Sequence, residues 1–192
     1  AAGDAPRART LNASMTHSND APPPSPAAPN PEVAREFSHV DRAGNFQMVD
    51  VGDKPISVRS ALASGSITMQ QETFNLIRDN GLKKGDVIPV ARVAGIQAAK
   101  RTAELVPLCH PLPLSGVEVR INLDASLPGC QVEGFVRTTA QTGVEMEALT
   151  AVSVALLTIY DMAKAVDRTM VISNIVLREK RGGTKGDFTG SP

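Results

Sequence analysis

The chain has 192 residues, with 20 basic and 20 acidic side chains and a formal net charge of zero. That balance excludes a non-specific nucleic-acid binder, which needs a basic excess to displace counterions from phosphates. Aromatic residues make up 3% and Trp is absent, so a base-stacking platform for RNA is poorly supplied.

Two cysteines, Cys109 and Cys130, occur without a CxxC spacing. They point away from a disulfide framework or a Cys-rich zinc site and towards a reducing, cytoplasmic compartment. No run of 18 apolar residues free of charge is present, so no membrane span is expected. The first residues also lack the apolar core of a secretory signal.

Residues 1–36 form a zone of their own. "APPPSPAAPNP" (21–31) is Pro- and Ala-rich and cannot nucleate a packed core, so a mobile tail is expected, or in residues 1–14 a cloning remnant. Residues 37–192 are read as the folded domain. "FQMVDVG" (46–52) is a short strand candidate. "MQQETFNLIRDNG" (69–81) reads as a helix that stops at Gly81. Residues 85–105 read as a second helix, with Asp86 as N-cap and Pro89 in the first turn, where its missing N–H does no harm. "LVPLCHPLPLSG" (105–116) has three prolines in seven residues and predicts a stiff extended loop. "VEVRINLD" (117–124) alternates apolar and polar residues, "SLPG" is a turn, and residues 130–140 form a second strand, which together predict an antiparallel hairpin. A long helix follows from Gly143 to about Val166, then a strand over 169–180 and a Gly-rich tail. This order predicts an α+β fold of the ferredoxin-like, split βαβ type, with an antiparallel sheet against helices.

The long helix carries a polar stripe. Glu147, Thr150, Thr158, Asp161 and Lys164 fall within about 120° of one another at 100° per residue. Asp161 and Lys164 are three apart and share a face. The stripe is either a solvent-facing ion pair or the wall of a pocket. In "LCHP" (108–111), Cys109 and His110 are neighbours in an extended segment, so they point to opposite sides and do not pair as nucleophile and base. A zinc site would need more ligands, and only His17 and His39 remain as histidines. "LKKGD" (82–86) places Lys83 and Lys84 before a helix start, a candidate anion site. "GGTKGD" (182–187) lacks the Walker spacing and the following helix. Lys84, Lys164 and Lys180 with Glu145, Glu147 and Asp161 would suit acid–base chemistry on a small anionic substrate.

Four segments, "HVDRAGNFQMVDV", "KGDVIPVARVAGIQAAKRTAELVPLCHPLPL", "TGVEMEALTAVSVALLTIYDMAKAV" and "KRGGTKGDF", closely resemble the cyclic pyranopterin monophosphate synthase family. The resemblance runs from about residue 38 to 188. These are the molybdenum-cofactor biosynthesis enzymes that act after a radical-SAM GTP cyclase. The resemblance implies a lyase acting on 3′,8-cyclo-7,8-dihydro-GTP, with release of pyrophosphate and without metal or other cofactor. It implies a homohexamer, a trimer of dimers, with each active site at a subunit interface, and no nucleic-acid or membrane partner. By motif, Asp161 and Lys164 match the catalytic acid–base pair, and Lys84 and Lys180 match further active-site lysines. Leu108, Cys109 and His110, with Glu145, Met146 and Glu147, match the substrate-binding segments. The chain departs from the family pattern at Ala163, where Cys is usual, and in "GGTKGD", where GGKSGD is usual and Lys185 is shifted by one. A non-catalytic, ferredoxin-like anion-binding regulatory module is the competing expectation, but it need not keep Asp161, Lys164 and Lys84 together.

Overall fold

Small residues at alternate positions build the central strand of the sheet. In a computed structural model of the chain, which describes residues 39–40, 43–184 and 186–190, β1 spans Ser57–Thr68. Arg59, Ala61, Ala63, Gly65 and Ile67 all point to its buried side. Three helical segments follow: α1 (Gln71–Arg78), α2 (Val87–Ala99) and α3 (Thr102–Leu105). The hairpin β2 (Leu114–Asp124) and β3 (Gly129–Ala140) comes next, then α4 (Glu145–Ala163), β4 (Val171–Arg181) and β5 (Phe188–Thr189). The sheet order is β2-β3-β1-β4-β5, with every neighbouring pair antiparallel. β1 and β2 therefore run parallel, with β3 inserted between them. The α+β expectation is met.

α4 is the core helix. Ala148, Ala151, Val152, Ala155, Leu156 and Ile159 are fully buried, and each large apolar side chain among them contributes about 1.5–3 kcal/mol. The helix sits close because its bed is glycine. A Cβ on Gly65 would lie 2.8 Å from Leu156 Cδ1, and one on Gly134 would lie 3.0 Å from Ala148 O. α2 packs beside α4 at Gly95, where an added Cβ would come within 2.8 Å of Ala151 O. By length and composition α4 could cross a bilayer, but half of it is buried inside this fold, as a core helix is. The opposite face of the sheet carries Leu62, Phe135 and the ion pairs Glu118–Arg120 and Glu179–Arg181.

Four local expectations need correction. Phe46–Gly52 is not a strand: Phe46 forms only an isolated bridge with Val40, and Asp50 Oδ1 accepts from Gly52 N–H at 2.8 Å, which turns the chain. β1 is a strand that the sequence pattern does not announce, because Ala, Ser and Gly give a weak apolar signal. The helix expected over 85–105 divides after Ala99. There the Thr102 hydroxyl donates to Ala99 O at 3.0 Å and Arg101 N–H to Ala98 O at 3.0 Å, which competes with the helical ladder. In α1 the left-handed residue at the stop is Asn80, at φ 54°, while Gly81 N–H closes the turn on Leu76 O at 2.7 Å. Asp86 does cap α2, accepting from Ile88 N–H at 3.3 Å. Residues 1–36 and Lys185 lie outside the described residues.

One buried carboxylate ties the end of α4 to the start of α1. Asp167 is 1% exposed. It accepts from Gln70 N–H at 2.9 Å, Thr169 N–H at 2.8 Å and the Thr169 hydroxyl at 2.7 Å. Burial pushes its carboxyl up, but these hydrogen bonds outweigh burial and hold it below the ordinary carboxylate range. We expect Asp167→Ala to cost about 2–4 kcal/mol in urea unfolding at pH 7. Because the folded-state value is depressed, the contribution is present above the unfolded carboxylate range. The gap between the wild type and this variant should therefore narrow as pH falls below about 4.

Candidate active site

The prolines decide the first half of the site. Pro107, Pro111 and Pro113 keep residues 106–113 out of helix. Cys109 N–H closes a turn on Val106 O at 3.0 Å, and Thr138 Oγ1 donates to Pro113 O at 2.7 Å. His110 is thereby aimed at segment 49–54, with Nε2 2.8 Å from Val49 O. A carbonyl can only accept, so Nε2 carries the proton. Gln141 Nε2 donates to Gly52 O at 2.8 Å and holds the same segment from its other end.

These two ties enclose a cavity of about 650 Å³ at the N-terminal end of α4, a volume suited to a nucleotide-sized ligand. Leu108, Cys109, His110, Glu145, Met146, Glu147 and Lys180 all line it. Lys180 comes from β4, where it stands opposite Ala61, and its Nζ lies 3.0 Å from Glu145 Oε1. Glu147 is 4% exposed. Burial pushes its carboxyl up to about 7, reinforced by the nearby Glu145 charge and only partly opposed by its own backbone N–H. It can thus donate or accept a proton near neutral pH. Cys109 stays a thiol, pushed up by burial and by Glu147. Among the described residues, no three His, Cys, Asp or Glu side chains converge as metal ligands.

The other three predicted residues lie elsewhere. Lys84 Nζ is 2.8 Å from Asp161 O and 3.1 Å from Asp161 Oδ2, and Lys164 Nζ is 2.6 Å from Asp161 Oδ1. This cluster is exposed, and the hydrogen bonds from Lys164 and then Lys84 hold the Asp161 carboxyl below its ordinary range. Asp161 therefore stays ionised at neutral pH and holds both ammonium groups. Glu145 and Asp161 sit at opposite ends of α4, about 24 Å apart along its axis at 1.5 Å per residue. The polar stripe read from the sequence is therefore not one wall of one pocket within a single chain. Its intermediate member Thr158 is half-buried and spends its hydroxyl on its own helix, donating to Val154 O at 2.7 Å.

Arg59 escaped the sequence reading. It is 6% exposed and borders the cavity with Lys54. Its Nε donates to Ala140 O at 3.0 Å, and its Nη2 has no hydrogen-bond partner among the described residues. Gly182 and Gly183, at φ 83° and 94°, bring the chain so close that a side chain on either would strike Val58 O or the Arg59 guanidinium. A buried guanidinium with a free donor is a strong anion receptor. The available signal was a lone Arg among small residues on the inward register of β1.

The Glu147 carboxyl also sets a pH dependence. Its folded-state value is raised, so the stability it contributes is full at low pH and is lost as pH rises towards 7 and beyond. Glu147→Gln should stabilise the fold at pH 8 by ~2 kcal/mol, discounted from the full shift because the carboxyl borders an open cavity. Chemical denaturation at pH 8 and pH 4 checks this: the gain should vanish at pH 4.

The model of the MoaC family matches residues 48–183. A cyclic pyranopterin monophosphate synthase of Parvibaculum lavamentivorans is 56% identical over 156 residues, covering 81% of this chain and 98% of that protein. Proteins of the same name from two strains of Chloroflexus aurantiacus are 58% identical over 157 residues, covering 82% of this chain and 96% of theirs. With most of its folded length matched by the family model and by relatives well above half identical, the chain belongs to the MoaC family.

Proposed function

We propose that the chain is a cyclic pyranopterin monophosphate synthase, a lyase of molybdenum cofactor biosynthesis. It converts 3′,8-cyclo-7,8-dihydro-GTP to the pyranopterin with a cyclic phosphate and releases pyrophosphate. It takes its substrate from a radical-SAM GTP cyclase and works in the reducing cytoplasm, a setting compatible with its free thiols Cys109 and Cys130. We read the β2-β3-β1-β4 order, with β3 between β1 and β2, as ferredoxin-like. The observation that carries the functional reading is the pairing of a nucleotide-sized cavity bearing Lys180 and Arg59 with an acid–base cluster of Asp161, Lys164 and Lys84.

Each group has a physical task. Opening the purine and rebuilding it as a pterin needs several proton transfers, which suit Lys164 with Asp161, and Glu147 with its carboxyl near 7. Closing the cyclic phosphate leaves negative charge on the departing pyrophosphate, and fixed cations stabilise it: Lys180, Lys84 and Arg59. His110 and the loop carrying Leu108 and Cys109 orient the substrate, with Glu145 and Met146 at the helix start. Glu145 holds Lys180 until a phosphate takes its place. An extended nucleotide is shorter than the span between the two ends of α4, so one copy cannot supply both halves. The site is composite, shared between copies of a homo-oligomer, and we read that assembly as a hexamer built from three dimers.

The test is conversion of 3′,8-cyclo-7,8-dihydro-GTP by the purified full chain, following cyclic pyranopterin and pyrophosphate together. Lys164→Ala should lose product formation while still binding substrate. Arg59→Ala should weaken substrate binding about 10- to 100-fold by calorimetry, as expected for one charged hydrogen-bonded contact. Binding without conversion by the wild type would return the chain to the anion-binding module.

A further inference from the structure

Three cations border the cavity, and residues 140–145, where β3 gives way to α4, hold each of them. Glu145 Oε1 lies 3.0 Å from Lys180 Nζ. Ala140 O accepts from Arg59 Nε at 3.0 Å. The third, Lys54, is reached through the backbone: Gln141 Nε2 donates to Gly52 O at 2.8 Å, two residues ahead of it. Lys54 is half-buried, although Gly52, Asp53, Pro55 and Ile56 around it are exposed, so its side chain lies along the cavity wall. It forms no ion pair among the described residues. The turn that carries it is tight within itself. Gly52 N–H donates to Asp50 Oδ1 at 2.8 Å, and Lys54 N–H to Val51 O at 3.0 Å. Yet this turn joins no strand before Ser57. Gln141 is its tether nearer to Lys54 in sequence, and His110, at Val49 O, is the farther one.

We propose that Gln141 is a positioning residue that acts through Lys54. By latching the 50–54 turn it keeps the Lys54 ammonium at the cavity wall, where, with Arg59 and Lys180, it completes a receptor for the polyphosphate end of a nucleotide. This rests on the nucleotide-derived substrate proposed above and names a further cation for it and the residue that places that cation. A polyphosphate spreads its charge over several linked groups, so it is met best by several cations set apart and held in advance. Lysine is a point charge on a flexible stem, and an unplaced one loses its freedom on binding. Fixing the backbone turn beneath it removes part of that cost beforehand. Glu145 and Glu147 also line the cavity, and Glu145 is bonded to Lys180. Lys54 and Arg59 can therefore meet an anion without giving up a carboxylate.

Inorganic triphosphate is the probe, titrated by calorimetry into the full chain. Lys54→Met should weaken its binding about tenfold, as expected for one charged contact, and Gln141→Met about three- to tenfold. The double variant should bind within about twofold of Lys54→Met alone, because Gln141 has nothing to place once the ammonium is gone. Losses that multiply overturn the proposal, and so does undiminished binding by Gln141→Met. Hydrogen exchange at the Gly52 and Lys54 amides should quicken in Gln141→Met while its urea midpoint stays that of the parent. Unchanged exchange overturns the latch. Gln141→Asn, whose shorter amide falls short of Gly52 O, repeats the cycle under the same criteria in case Gln141→Met does not fold. A parent chain that fails to bind triphosphate overturns the receptor. Calorimetry needs no turnover, so a parent that binds triphosphate through Lys54 without converting 3′,8-cyclo-7,8-dihydro-GTP removes the lyase reading and leaves this proposal standing. Conversion by a parent whose triphosphate binding ignores Gln141 does the reverse.

Discussion

Close packing of α4 on the sheet is the constraint on which the rest depends. Gly65 and Gly134 leave no side chain between the strands and the helix: Leu156 and Val152 lie over Gly65, and Ala148, Ala151 and Val152 lie over Gly134. At this separation no side chain fits on either glycine, and packing at interior density makes even a methyl group felt. Gly95 extends the same logic to α2. The helix is thereby fixed in rotation as well as in place. What packs against each end of the helix then decides that Glu147 is covered while Asp161 and Lys164 stay exposed.

The different surroundings of the two helix ends give two carboxylates opposite electrostatic fates. Glu147 is enclosed, has no ion pair among the described residues, and is pushed up to about 7. Asp161 stands in water between two ammonium groups and stays ionised. The cations divide similarly. Lys180 and Arg59 are held close to the cavity wall by Glu145 and by the backbone of Ala140, whereas Lys84 and Lys164 are gathered on one exposed carboxylate. A half-buried cation and a buried one keep their attraction for phosphate in salt better than exposed ones do.

The parts of the fold legible in the sequence are those with a strong local signal. The β2–β3 hairpin shows in the alternation Val117, Val119, Ile121, and Asp86 shows as a cap ahead of an apolar run. The proline-braced loop of His110 shows in its composition. β1 did not show, since a strand of Ala, Ser and Gly owes its place to the glycine-bedded helix above it and to the strands on either side, not to its own propensity. The segment at Phe46 misled in the other direction, because its apolar residues serve as a strap tied by His110 and Gln141 rather than as a strand. Arg59 stayed hidden for the same reason as β1, since its inward position follows from the strand register.

The sequence by itself determined the α+β class, the apolar character of α4, the stiffness of the 106–113 loop and, through long motifs, the family. Those properties rest on side-chain size, backbone restriction and periodicity, which act over a few residues. Only the tertiary structure decided that Glu145, Glu147, His110 and Lys180 share a cavity while Asp161, Lys164 and Lys84 gather at the other end of the same helix. Helical spacing places residues on a common face, but each residue also rises 1.5 Å along the axis. Side chains far apart on one face are therefore aligned without being adjacent, and which of them meet is settled by what packs against each end.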